Sequence, residues 1–264
     1  MSLRFCSFSS GSSGNCYLIR SDTSAVLVDA GISGKRIMEG LAETETDPSM
    51  LKGIVITHEH SDHVRGLRIA AKRCPGASVY SNENTWEKLE GLVEEDRQEI
   101  FESGSMFDIG DIGVKSFRTS HDAAEPVGFS FYCNDRQISI VTDTGYVSDD
   151  IIREISGADI LSLEANHEPD VLKSGRYPYY LKRRILGDKG HLSNEAAAEC
   201  IIRIEEQQHK DREILLAHLS SNNNTPELAA ITVKNILEDA GLQVGSSLRV
   251  DVVMRDRLSR LYEV

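Results

Sequence analysis

Apolar residues fall along the chain in short runs. Runs rich in aliphatic and β-branched residues recur at Ala25–Val28, Gly53–Thr57, Val114–Phe117, Ile138–Val141, Ile160–Leu163 and Glu213–Ala217, each of strand length and bounded by polar or turn residues. Between them the spacing lengthens to three and four. Val64, Leu67, Ala70 and Ala71 share one face of a helix predicted over Asp62–Lys72, which stops near Pro75. Ala197, Cys200, Ile201 and Ile204 do the same over Ser193–Gln208, with Ser193 as the N-cap. Strands and helices mixed in this order indicate an α/β layered domain. The residues that follow the strands are the informative ones: His58 after Gly53–Thr57, His121 after Val114–Ser120, Asp143 after Ile138–Thr142 and His218 after Ile214–Ala217. Ligand-type side chains thus stand at strand carboxyl ends, where open α/β sheets place their sites.

Composition narrows the class. At 264 residues and 40% hydrophobic content, with no repeat or low-complexity tract, one domain over 1–264 is the simplest organisation, and the polar run Glu43–Ser49 is a loop. No apolar run reaches eighteen residues, and Met1-Ser2-Leu3-Arg4-Phe5 lacks a signal-peptide pattern, so a cytoplasmic protein with no membrane partner is expected. The five cysteines (Cys6, Cys16, Cys74, Cys133, Cys200) are odd in number and never spaced C-x-x-C, which predicts packed, reduced thiols. A net charge of -13 opposes non-specific coating of nucleic acid or anionic membrane, but not a local grip on phosphate. Nothing in the pattern speaks to oligomeric state.

The chemistry concentrates in Thr57-His58-Glu59-His60-Ser61-Asp62-His63, three imidazoles and a carboxylate within six residues. Such donors suit zinc, manganese or iron, and a tight turn at a strand end can aim alternate members at two adjacent ions. Through this motif, and through Val28-Asp29-Ala30-Gly31, Ser120-His121-Asp122, Thr142-Asp143-Thr144-Gly145 and Ala217-His218-Leu219, the chain resembles the metallo-β-lactamase fold hydrolases. The resemblance implies a four-layer αββα sandwich and two divalent metal ions. One would be held by His58, His60 and His121, the other by Asp62, His63 and His218, with Asp143 bridging. Ions about 3.5–4 Å apart can hold a bridging hydroxide as nucleophile and brace the attacking and leaving oxygens. Asp29 is expected to order a ligand by hydrogen bonding.

A dinuclear site could serve lactams, thioesters or phosphodiesters. His191, in Gly190-His191-Leu192-Ser193-Asn194, is surplus to the ligand set and sits just before a helix, so it is the candidate general acid for a phosphodiester's alkoxide leaving group. Asp62 and His191 are therefore the expected catalytic residues. His191 and His218 resemble the pair that marks the phosphodiesterase branch of the fold, with ribonuclease Z. Adding Ser9-Ser10-Gly11-Ser12-Ser13-Gly14-Asn15-Cys16, Leu163-Glu164-Ala165-Asn166-His167 and His218-Leu219-Ser220-Ser221-Asn222-Asn223, the chain resembles the bacterial YycJ family, also called WalJ. That implies a metal-dependent 5′-to-3′ exonuclease acting on DNA in preference to RNA. Glu164 and His167 join Asp29 as expected supports of the site, His167 being open between lining it and packing, while His209 reads as solvated.

Contacts to substrate are expected from Ser12 and Asn15 in a glycine-serine turn that lacks the P-loop ending, from Ser220 and Asn222, and from Lys182, Arg183 and Arg184. Those three cations lie in residues 173–189, where Lys173, Arg176 and Lys189 also stand among Tyr177, Tyr179 and Tyr180, opposed only by Asp188. This stretch either pairs phosphates and stacks bases or is a solvated, partly disordered loop. The rival functions are a small-molecule (cyclic) phosphodiesterase or glyoxalase-like thioester hydrolase, and a regulatory binding protein without turnover.

Overall fold

Residues 2–264 are described by a computed structural model. The chain falls into two units, residues 2–118, 123–136 and 254–264 in the first, and residues 119–122 and 137–253 in the second. The strands make two mixed sheets with flanking helices, the α/β class that the apolar pattern predicts.

In the first unit, β1 (Arg4–Ser9), β2 (Cys16–Arg20) and β3 (Ala25–Val28) run antiparallel, and the C-terminal strand Tyr262–Glu263 pairs with β1. After helix α1 (Gly34–Glu43), β4 (Leu51–Val55) lies parallel to β3. Two short helices, α2 (Ser61–Val64) and α3 (Leu67–Arg73), lead to β5 (Ser78–Ser81), parallel to β4. Helix α4 (Glu83–Lys88) precedes β6 (Gln98–Ile100), parallel to β5. A strand covered on both faces must be apolar throughout, and all four residues of β3 are buried. Ile37 and Leu41 of α1 and Leu67 and Ala70 of α3 close the core with Leu18, Leu27 and Ile54. Then β7 (Met106–Ile109), β8 (Ile112–Arg118) and β9 (Val127–Cys133) form an antiparallel meander.

The second unit holds four parallel strands in the order β10 (Arg136–Val141), β11 (Ile160–Glu164), β12 (Arg212–Ala217) and β13 (Leu248–Val252). Helix α5 (Asp149–Ile155) joins the first two strands. Between β11 and β12 come α6 (Pro169–Ser174), α7 (Tyr179–Ile185) and α8 (Asn194–Gln207), and α9 (Pro226–Asp239) leads to β13. Because the strands are parallel and Val141 pairs with Leu163 and Glu164 with Ala217, the exits of β10, β11 and β12 lie at one edge. Asp143, Glu164 and His218 are thereby brought to a common end by register alone. Ser193 caps α8 as expected, its hydroxyl accepting from the Ala196 N–H at 3.1 Å.

Two expectations change. The helix over Asp62–Lys72 breaks between α2 and α3, because the Gly66 N–H donates to the Ala30 carbonyl at 2.7 Å and a Cβ at Gly66 would stand 1.9 Å from the Ile32 carbonyl oxygen. Residues 173–189, open to reading as a disordered loop, are ordered by the end of α6 and by α7. The five cysteines are buried and free. Among the described residues no helix is long and apolar enough to cross a membrane.

Gly66→Ala is expected to destabilise the protein by about 2–3 kcal/mol, whereas Gly76→Ala, where an added Cβ meets nothing within 4 Å, stays within about 0.5 kcal/mol of the parent. Urea titrations of the two variants measure this.

Candidate metal centre

In the first unit the motif begins just past β4. Thr57 and His58 are buried, while His60 and Asp62 are half-buried and His63 has no exposed surface. Asp29, the first residue past β3, is held at φ 60 and buried completely. Its carboxylate accepts from the Thr57 N–H at 2.9 Å, from the Thr57 hydroxyl at 2.9 Å and from His63 Nδ1 at 2.7 Å. That last bond assigns the Nδ1–H tautomer to His63 and turns Nε2 outward, 3.0 Å from the Asn15 amide nitrogen and 3.7 Å from Asp62 Oδ2. The Thr57 hydroxyl, donating to Asp29, accepts from His58 Nδ1 at 3.0 Å, which leaves His58 Nε2 3.1 Å from His60 Nδ1. The motif lies close under the glycine-serine turn: the Asn15 N–H donates to the Asp62 carbonyl at 2.7 Å, and a Cβ at Gly31 would stand 1.6 Å from that oxygen.

In the second unit Glu164, the last residue of β11, has no exposed surface and accepts from four donors. Its Oε1 takes His191 Nδ1 at 2.7 Å and His218 Nδ1 at 2.9 Å; Oε2 takes the backbone N–H of Thr144 at 3.0 Å and of Leu192 at 3.2 Å. His218 Nε2 then faces Asp143 Oδ1 at 3.6 Å. His121 donates from Nδ1 to the Gly190 carbonyl at 3.1 Å and turns its Nε2 toward Asp143 Oδ1 at 3.8 Å. The loops are in close contact. The Ser120 hydroxyl donates to the Asp188 carbonyl at 2.7 Å, and a Cβ at Gly145 would lie 2.2 Å from the same oxygen. Asp143, Glu164, His191 and His218 offer ligand atoms all within 4.8 Å of one another.

Five histidines, His58, His63, His121, His191 and His218, therefore share one arrangement, with Nδ1 held by the protein and Nε2 turned away from that bond. Hydrogen bonding of the distal nitrogen fixes the tautomer and raises ligand basicity, and a mixed imidazole and carboxylate donor set suits a divalent metal ion. These residues fit such an ion.

The electrostatics follow the same contacts. Burial pulls the His191 imidazolium down, but the bonded Glu164 carboxylate and Asp143 outweigh it and hold its pKa above the usual value. Burial pushes Glu164 up, yet His191 and His218 hold it at about 2. His121 is lowered by burial, with Asp143 opposing. His167, buried, with neither ring nitrogen hydrogen-bonded, falls to about 4, chiefly by burial, and is neutral at pH 7. Its carbonyl accepts from the Asn194 N–H at 2.9 Å.

The remaining expected residues separate by exposure. Ser12 and Asn222 are exposed and Ser220 is half-buried. Asn15 is buried against His63, and its Oδ1 accepts from the Gly11 N–H at 2.8 Å. Arg184 is bonded to Asp122 at 2.6 Å, and Lys182 donates to the Lys173 carbonyl at 2.6 Å. Exposed His209 bonds Glu205 at 2.7 Å. Sequence reasoning missed Thr57 as the link between Asp29 and His58, the Gly190 carbonyl behind His121, and Asn166, whose amide donates to the His218 carbonyl at 2.9 Å. Only Asn166 carried a signal, its place past a strand that ends in Glu164.

Comparison with known proteins identifies the family. The family model described as "Beta-lactamase superfamily domain" matches residues 24–218. Exodeoxyribonuclease YycJ of Bacillus anthracis is 42% identical over 253 residues, 95% of each chain. Exodeoxyribonuclease WalJ of Streptococcus pneumoniae serotype 2 is 43% identical over 260 residues, 97% of this chain and 96% of that one. The chain therefore belongs to the β-lactamase superfamily and, within it, to the YycJ/WalJ family. The fold is shared with the metallo-β-lactamase fold protein YhfI from Bacillus subtilis, at a TM-score of 0.74 and 15% identity over the whole of both chains.

Glu164 supplies a pH test. Its folded pKa lies below the ordinary 4.5, so its contribution is present above 4.5 and is lost as pH falls toward 2. Between pH 5 and 2.5 the metal-free wild type should lose on the order of 2 kcal/mol more than metal-free Glu164→Gln, measured by denaturant titration at each pH.

Proposed function

We propose that the chain is a divalent-metal-dependent phosphodiesterase that removes nucleotides from the 5′ end of DNA. The observation that carries this is the Glu164–His191 pair at 2.7 Å, beside the Glu164–His218 pair at 2.9 Å. One carboxylate holds a candidate ligand and a second, protonatable imidazole in fixed relation, and membership of a family whose relatives are named exodeoxyribonucleases supports the substrate. We assign one ion to His58, His60 and His121 and a second to Asp62, His63 and His218, with Asp143 shared, by family correspondence and by the way Asp29, Glu164, Thr57 and Gly190 hold the rings. Two bound ions would supply the nucleophile and stabilise charge on the phosphoryl oxygens; zinc, manganese and iron all accept these donors.

The protein's own part is proton delivery. His191 carries a proton on Nδ1, shared with Glu164, and the raised pKa keeps a second on Nε2 for the leaving alkoxide. A poor leaving group makes this donor necessary, which favours a phosphodiester over a thioester. Asp62 is assigned to catalysis with His191 because it would hold one of the ions that activate the phosphate. Asp29, Glu164 and His167 support the site, and Ser12, Asn15, Ser220, Asn222, Lys182, Arg183 and Arg184 are assigned to substrate. Lys182 and Arg184 then act through the local ties they make. Because the superfamily match runs through both units, residues 1–264 are assigned to one domain. We assign the activity to the cytoplasm.

His191→Ala should retain wild-type metal content by mass spectrometry while DNA cleavage falls about a hundredfold or more; equal turnover would remove the proton-donor role. With manganese or zinc, 5′-labelled DNA should release its label as the earliest product, ahead of 3′ label and of RNA. Hydrolysis of bis-p-nitrophenyl phosphate with both polymers untouched would point instead to a small-molecule phosphodiesterase.

A further inference from the structure

Helix α7 buries little of itself. Of Tyr-Tyr-Leu-Lys-Arg-Arg-Ile only Ile185 is buried, while Tyr179 and Tyr180 are 76% and 74% exposed, more than any other large hydrophobic side chain among the described residues. Two adjacent rings standing in water contribute nothing to a core. Around them lies the most basic stretch of an acidic chain, six cations against one carboxylate between Lys173 and Lys189. Some of that charge is already used: Lys173 pairs with Asp170 at 3.5 Å and Arg184 with Asp122 at 2.6 Å. Arg176, Arg183 and Lys189 are exposed and have no carboxylate partner among the described residues. On a helix Tyr179 and Arg183 are four apart and Tyr180 and Arg183 three apart, so Arg183 shares a face of α7 with each tyrosine.

The arm is also fixed in place. Lys182 Nζ donates to the Lys173 carbonyl at 2.6 Å, and the Asn222 amide donates to the Tyr177 hydroxyl at 2.7 Å, tying the arm to the loop that follows His218. The His191 N–H donates to the Ile185 carbonyl at 3.0 Å, and a Cβ at Gly190 would come within 2.1 Å of that oxygen, so α7 runs directly into His191. A rigid surface forfeits little entropy on binding.

We propose that this arm is a stacking platform for unpaired bases of a DNA strand, with Tyr179 and Tyr180 against the bases and Arg176 and Arg183 on the phosphates. The inference rests on the nucleic-acid reading above and refines it to a strand whose bases are free to leave the duplex stack. Bases inside a duplex are stacked on both faces, whereas every unpaired base offers a π-face, so such binding tolerates any sequence and depends on salt.

The test is fluorescence anisotropy of the full-length, metal-loaded protein with a labelled twelve-nucleotide phosphorothioate strand and with the blunt duplex of the same sequence. Tyr179→Ala with Tyr180→Ala should weaken single-strand binding on the order of tenfold and duplex binding far less, while Tyr179→Phe with Tyr180→Phe, keeping both rings, stays within about twofold. Melting temperature and metal content, equal in all three proteins, verify folding. Equal single-strand affinity of the alanine pair and the parent overturns the inference, as does an equal loss on strand and duplex. Tyrosine-dependent binding to phosphatidylglycerol vesicles, with no binding of the strand, also overturns it and marks a membrane-surface contact. The two proposals fail separately. DNA cleavage with no effect of the alanine pair removes the platform alone, and tyrosine-dependent strand binding without cleavage of ordinary DNA removes the nuclease alone.

Discussion

A single buried carboxylate organises the second unit. Glu164 lies at the end of a central parallel strand with no exposed surface, where an unpaired charge would cost several kcal/mol. Four donors meet it, two imidazoles and two backbone N–H groups. Satisfying that charge fixes an Nδ1 proton on both His191 and His218. It also ties the turn after β10, through Thr144, to the turn before α8, through Leu192. The same contacts hold His191 above its ordinary pKa and Glu164 at about 2, so one electrostatic arrangement yields both a rigid candidate ligand and a protonatable group.

The first unit uses Asp29 in the corresponding way, with Thr57 and His63 as its donors. Asp29, Asp143 and His218 each follow a strand and each adopt positive φ, at 60°, 56° and 55°. Left-handed backbone is unfavourable for residues with a Cβ, by about 1–2 kcal/mol, and such strain persists where surrounding contacts determine it. Here the turns are held by hydrogen bonds and by glycines that admit close approach, Gly31 against Asp62 and Gly145 against Asp188.

Charge is distributed with the same economy. The chain is strongly acidic, yet its basic stretch lies immediately before His191, and part of it is consumed by structure: Arg184 holds Asp122, the neighbour of His121. Counting cations in the sequence therefore overstates what remains for phosphate. The tyrosines of the same helix are left without a packing role.

Much of the site was legible in advance because its cause is local. Apolar runs of strand length located β3, β4, β8, β10, β11 and β12 within a few residues, and the donor residues directly past those runs, with the close spacing of His58, His60, Asp62 and His63, declared metal chemistry and a surplus histidine. The short, mixed strands β5 to β7 gave no such pattern. The break in the helix at Gly66 was invisible too, since it arises from a carbonyl some thirty-odd residues away at Ile32. Which imidazole nitrogen is held, that one carboxylate serves both His191 and His218, and that Arg184 is spent on Asp122 were decided only by tertiary structure. Periodicity records which residues face a core; hydrogen-bond direction depends on strand register and backbone turns joining residues up to 69 positions apart, and no local pattern encodes it.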